Sequence, residues 1–207
     1  GLARDHGIRS LPTMRLYKNG EVVEEILGAQ TESALRIILD RHIDRPSDSA
    51  REAALEAHRR GDTAAAIEQL ERICGQDPSN TRAALDLVGL NLAADRLEAA
   101  EAGYAALPRD VRDESDGMRL RALLDFSTIA GQTGNRAGLE QQLQASPDDL
   151  ETRYRLGAIQ VLAGEYEAAM QAFMEIIRQD RSFRDGAGRR ALLSVFGLLG
   201  DGRGVGG

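Results

Sequence analysis

Cysteine is nearly absent: Cys74 stands alone in 207 residues, so no intramolecular disulfide can form. His6, His42 and His58 do not share a zinc-ligand spacing, and neither a metal site nor a cofactor is expected. No apolar run approaches the ~18 to 20 residues that cross a bilayer, which argues against a membrane span. Positive charge is also in short supply. Thirty-three acidic residues stand against 26 basic ones, a formal net charge of -7 that repels phosphate backbones and argues against nucleic acid as a partner. Lys18 is the sole lysine; the arginines are scattered, as on ordinary solvated helix faces. No signal-peptide pattern is visible.

What the chain has in abundance is a rhythm. Gly164 lies 103 residues after Gly61, three periods of about 34 plus one residue, the spacing of tetratricopeptide repeats. The last copy carries Leu156-Gly157, Gly164, Tyr166, Ala169 and Phe173, and the first carries Gly61, Ala66, Leu70, Ile73 and Pro78 at matching offsets. Two antiparallel helices of a hairpin touch at small residues such as Ala66 and Ala169, while bulky ones wedge against the next hairpin. The pattern predicts a mainly α solenoid that binds and carries no chemistry. Helix pairs are expected over 49–60 and 63–75, 81–94 and 97–106, weakly over 118–130 and 136–145, and over 150–163 and 166–179. Ser49 and Glu52 have capping-box spacing at the first start, and 109–117 reads as polar turn. Ala187, Ala191, Leu192, Val195, Phe196 and Leu199 form a final amphipathic stripe suited to covering the end of the stack. Residues 46–200 are thus the repeat region, and the glycine-rich 201–207 is expected to be a disordered tail.

Residues 1–45 read differently. Met14 to Tyr17 and Val22 to Ile26 are short β-favouring runs around Lys18-Asn19-Gly20-Glu21, a strong hairpin signal. Thr31 then caps a helix bearing Ala34, Leu35, Ile38, Leu39 and His42, and Arg45-Pro46 stops it. Gly7-Ile8-Arg9-Ser10-Leu11-Pro12-Thr13-Met14, the hairpin, Gly28 and the helix together closely resemble the C-terminal half of a thioredoxin. The fold class is therefore a tetratricopeptide-type α-solenoid with an N-terminal, partial thioredoxin-like β-hairpin plus helix. The resemblance implies a cis peptide bond at Leu11-Pro12 facing an active-site dithiol. The Cys-X-X-Cys motif lies upstream of that proline in thioredoxins; this sequence holds nothing before Gly1, so half of the domain is missing from it. Without two thiols, exchange has no nucleophile and no enzymatic activity is expected.

A thioredoxin-like half, tetratricopeptide hairpins with an irregular middle, and Arg184-Asp185-Gly186-Ala187-Gly188-Arg189-Arg190-Ala191-Leu192-Leu193 resemble the bacterial chaperedoxin family. That resemblance implies a cytoplasmic co-chaperone, a holdase that shelters non-native client proteins and passes them to chaperonin-type, ATP-driven chaperones. The alternative is a thiol-disulfide oxidoreductase whose catalytic dithiol half is missing; a scaffold for one dedicated partner is a third.

In the repeat frame the first helix of each pair lines a concave groove. Leu55 and His58, Leu85 and Leu92, and Tyr154 and Val161 are the groove candidates, with Pro12 a candidate contact of the thioredoxin-like half. Leu55, Gly89 and Ala158 occupy the place where tail-reading repeats need an Asn to clamp a carboxylate, which favours apolar segments instead. The competing assignment for Leu85, Leu92, Tyr154 and Val161 is packing within the stack.

Overall fold

The computed structural model describes residues 12–131 and 135–200. The Leu11-Pro12 bond and the tail at 201–207, for which a cis geometry and disorder are expected, lie outside the described residues. Strands β1 (Thr13–Lys18) and β2 (Glu21–Leu27) pair antiparallel, with a register shift between Leu16 and Tyr17. Asn19 and Gly20 both take positive φ, 53° and 87°, which matches the twist of the strands they join. Gly28 N–H donates to the Pro12 carbonyl at 2.8 Å, closing the open end of the hairpin. Helix α1 (Glu32–His42) is capped by Thr31, whose hydroxyl accepts the Ala34 N–H at 3.2 Å. His42 Nε2 sits 2.9 Å from Glu24, and Lys18 donates to the His42 carbonyl and to Asp44, so the helix end is tied to the hairpin. Tyr17, Val22, Leu27 and Ile43 remain exposed.

Helices then follow in order: α2 (Asp48–Arg59), α3 (Thr63–Gln76), α4 (Thr81–Ala93), α5 (Leu97–Ala106), the short α6 (Arg109–Asp113), α7 (Ser115–Gly131), α8 (Arg136–Ala145), α9 (Leu150–Leu162), α10 (Tyr166–Gln179), a single 3-10 turn (Phe183–Asp185) and α11 (Ala187–Gly200). Three hairpins turn identically. Asp62, Arg96 and Glu165 donate their N–H to the carbonyls of Ala57, Asn91 and Gln160, five residues back, at 2.8 to 2.9 Å. This wrap requires a left-handed residue at its centre. Gly61 (φ 94°) and Gly164 (φ 76°) supply it, and in the middle hairpin Asp95 does so at φ 61°, which is why a search for glycine alone misses that copy.

Side-chain caps start four of the repeat helices: Asp62, Asn80, Asn135 and Asp149 accept from the N–H three residues on, at 2.8 to 3.1 Å. The first repeat helix departs from expectation. It begins at Asp48 rather than after Ser49, Ser47 makes no side-chain cap, and Asp48 instead accepts the Arg45 N–H at 2.8 Å. Asp149 is the best-satisfied cap, bonded also by the Thr152 hydroxyl at 2.7 Å and by Gln142 at 2.9 Å. The Thr152 backbone bond, and then its hydroxyl, hold this carboxyl below the usual carboxylate range. Because the folded pKa lies below the unfolded one, its contribution is complete above the unfolded value of about 3.9 and fades as pH falls through the lower folded value. Asp149→Ala is expected to cost about 1 kcal/mol at pH 7, with the difference from the native chain narrowing below about pH 4. Urea unfolding at pH 7 and pH 3 checks this; a pH-independent difference contradicts it.

The middle of the stack differs most from the expected pairs. Residues 109–117 are not an open turn: Pro108 precedes α6, and α7 has already begun at Ser115. Helices α7 and α8 do not pack as a hairpin. Instead α7 runs across α4, α5, α6, α9 and α11, while α8 rests chiefly on α9. Among the described residues the core accordingly forms three clusters. Ala54, Ala66, Ile67 and Leu70 fill the first hairpin, Val88, Tyr104, Val111 and Leu124 join the second to α7, and Phe126, Tyr154, Phe173, Ile176 and Val195 join α7 to the last hairpin and α11. Helix α11 does cover α10, but through Ala187, Gly188, Ala191, Val195 and Leu198; Phe196, expected in the buried stripe, is 52% exposed beside Leu193 at 57%.

Candidate protein-binding site

Leu55 of α2, Leu85, Gly89 and Leu90 of α4, and Arg119 and Leu120 of α7 line one hollow on the first-helix side of the stack, about 310 Å³ in volume. The sequence frame places Leu55 and Leu85 there; Leu120 was invisible to it, because its presence depends on α7 reaching back to α4. One rim is fixed by Arg51 of α2, whose Nε lies 2.5 Å from Asp86 of α4. Burial pushes the Asp86 carboxyl up and the Arg51 guanidinium opposes this. A partly buried ion pair of that kind holds the two helices in register more than it stabilises them. At the far rim Asp116 and Arg119 sit on consecutive turns of one face of α7, so charged residues border the leucines.

The remaining candidates do not gather in this hollow. His58 turns to the α2–α3 corner, where Nδ1 lies 3.0 Å from the Thr63 hydroxyl. Leu92 lines a separate hollow with Leu97, Ser127 and Leu162. Val161 is 1% exposed inside the last core cluster and presents nothing to a ligand. Tyr154 is 9% exposed; its ring centroid lies 5.9 Å from that of Phe173 and 5.8 Å from that of Phe183, with the Arg184 guanidinium 5.8 Å above it. For Tyr154 and Val161 the packing assignment therefore replaces the groove assignment. The physical reason is α7, which packs on the face of α9 that the frame leaves open and also touches α11. Pro12 is exposed at the hairpin mouth, remote in sequence from the hollow.

The single thiol is set against nucleophilic use. Cys74 is half-buried against the first-hairpin cluster, and burial, followed by the charges of Asp86 and Asp77, pushes its pKa up, away from the thiolate form that reacts. Among the described residues no group of three His, Cys, Asp or Glu side chains is placed to hold a metal, and no helix is long and apolar enough to cross a membrane.

The N-terminal hairpin and α1 are fastened to this scaffold rather than trailing from it. Arg45 donates to Asp77 at 2.7 Å and to Ser79, Arg82 donates to the Ile43 carbonyl and to Asp48, and Arg41 of α1 pairs with Glu114 between α6 and α7 at 3.0 Å. The hairpin-and-helix unit is thus tied both to the first repeat and to Glu114, just before α7.

Comparison with known proteins agrees with both halves of this architecture. Two family profiles, each described as tetratricopeptide repeat, match residues 57–124 and 129–204. A short N-terminal stretch is similar to thioredoxins: 40% identical over 42 residues to Thioredoxin M5, chloroplastic, of Oryza sativa subsp. japonica, and 40% over 42 residues to Thioredoxin of Porphyra purpurea. That stretch is 20% of this chain, 24% of the rice protein and 39% of the Porphyra one. Thioredoxin 1 of Synechococcus elongatus is 38% identical over 42 residues, again 39% of its length. The chain spans well under half the length of these relatives. The molecule is a thioredoxin-like stretch joined to tetratricopeptide repeats, and such repeats are protein-interaction modules.

Proposed function

We propose that this chain is a co-chaperone of the chaperedoxin type, a holdase that captures apolar segments of non-native proteins on its first-helix face and passes them to chaperonin-type chaperones in the cytoplasm. The observation that carries the reading is the hollow in which Leu55, Leu85 and Leu120 meet from three different helices between charged rims. An apolar floor with no Asn or Lys clamp suits a hydrophobic side chain rather than a terminal carboxylate. The partial thioredoxin-like unit is bonded to the repeats through Arg41 and Arg45. Leu55 and Leu85 are only half-buried, which leaves both open to contact, while Leu85 also packs against the second-hairpin cluster.

Burying one leucine against a client is worth roughly 1.5 to 3 kcal/mol, and 1.4 kcal/mol is tenfold in affinity. Leu55→Glu and Leu85→Glu are therefore each expected to raise at least tenfold the concentration needed to suppress light scattering by a thermally unfolding client, with the helical circular dichroism unchanged. Unchanged suppression by both folded variants removes this face from the mechanism.

A further inference from the structure

A helix that closes a helical stack presents a polar outer face to water. Helix α11 does not. Its inner stripe, with Ala187, Ala191, Val195 and Leu198, is buried against the stack, but the opposite stripe of Arg189, Leu193 and Phe196, spaced four and three residues apart, is exposed. Helix α7 continues this apolar face through Met118, which is 58% exposed. Ser115, Met118 and Ala122 of α7 and Leu193, Gly197 and Leu198 of α11 line a shared groove of about 380 Å³. Further along, Phe126 and Ile129 lie beside Arg190 and Ala191, so the two helices run antiparallel. From Ser115 to Ala122 the groove covers two helical turns, about 10 Å. A groove between two packed helices is the seat that accepts the side-chain ridge of a third. Gly197 leaves its bed open, since a Cβ there would meet nothing within 4 Å.

Charge selects among the occupants such a groove could take. Arg119 stands on the α7 bank and Arg189 on the α11 bank; both are exposed, and neither has a hydrogen-bond or ion-pair partner among the described residues. Arg119 is the one charged residue lining the groove among those described. In a two-fold contact between copies of this chain the same patch meets itself, which would bring these arginines together with no carboxylate of the groove between them. Residues 201–207 are mostly glycine, with Val205 as their one apolar side chain, and cannot cover Met118, Leu193 and Phe196. A partner helix with carboxylates beside its apolar stripe complements both the leucine and methionine surface and the two cations.

We infer that the α7–α11 groove binds an acidic amphipathic helix of another protein, with its apolar stripe on Met118, Leu193 and Phe196 and its carboxylates on Arg119 and Arg189. The site goes beyond the first-helix hollow, with which it shares Arg119 alone.

The probe is a fluorescein-labelled, end-blocked 18-residue peptide of Ala and Gln, with Leu at positions 4, 8, 11 and 15 and Glu at positions 5, 7, 12 and 14, which flank the leucine stripe on both sides. Fluorescence anisotropy on the whole chain is expected to show binding that Leu193→Glu weakens at least tenfold and Leu55→Glu leaves unchanged. The same peptide with Lys in place of Glu is expected to bind the native chain at least tenfold more weakly, and a chain carrying both Arg119→Glu and Arg189→Glu reverses that order. No anisotropy change, equal binding of the two peptides by the native chain, or binding lost in Leu55→Glu but kept in Leu193→Glu each overturn the groove as the site; the last moves the peptide to the first-helix hollow. Sedimentation of the chain alone is expected to give a monomer, and a dimer that Leu193→Glu dissociates assigns the face to a second copy instead. Should a variant fail to fold, the comparison of the two peptides on the native chain still decides.

Discussion

Phe173→Ala is expected to remove about 3 to 5 kcal/mol of stability, a large share of the roughly 5 to 15 kcal/mol that holds a domain of this size folded. The ring is fully buried at the centre of the last cluster, stacked on Phe126 with centroids 6.0 Å apart and tilted against Tyr154. It reaches that position because residue 157 is glycine: a Cβ there would lie 2.6 Å from a ring carbon of Phe173. Truncating the ring leaves a cavity between α7, α9 and α10 that backbone relaxation cannot close, since three helices of the unit converge on it. Urea unfolding monitored at 222 nm is the measurement. A loss below about 1 kcal/mol contradicts the packing described.

Gly117→Ala is expected to strike the other structural crossing. A Cβ on Gly117 would overlap the Val111 carbonyl oxygen and lie 2.6 Å from the Arg112 Cα, both backbone atoms of α6 that no rotamer change can move aside. The two helices must separate, at a cost in or above the 1 to 3 kcal/mol usual for overpacking. Since α6 also packs on α1 and Glu114 holds Arg41, the displacement passes to the N-terminal unit and to Asp116, Arg119 and Leu120 at the hollow. Hydrogen exchange is expected to accelerate across residues 109–121 and in α1 while 166–179 stays protected. Uniform protection in the variant contradicts a rigid crossing at this glycine.

The hairpin, α1 and the ends of α9 and α10 were legible because each is written locally. Asn19-Gly20 fixes the turn, Thr31 fixes a helix start, and Gly61 and Gly164 fix the corners. The middle was not, because its arrangement depends on contacts between distant residues. Nothing local to Ser115 or Gly117 announces that α6 lies across α7, and the Arg41–Glu114 pair joins residues 73 positions apart. The same cause split the candidate site. A repeat frame assumes one uniform curvature, under which Leu55, Leu85, Tyr154 and Val161 share a face; α7 breaks that uniformity and takes Tyr154 and Val161 into the core. One usable signal went unread, since Gly157 opposite Phe173 is the small-against-large pairing already recognised at Ala169.

The central claim is that the first-helix hollow holds non-native protein. It is tested most directly by placing p-benzoylphenylalanine at position 85, and separately at the exposed outer position 98, and irradiating each chain with a client before and after thermal unfolding. Capture at the hollow predicts crosslinks from position 85 to the unfolded client alone, with little from position 98. Equal crosslinking from both positions, or none from position 85 while aggregation is still suppressed, contradicts it.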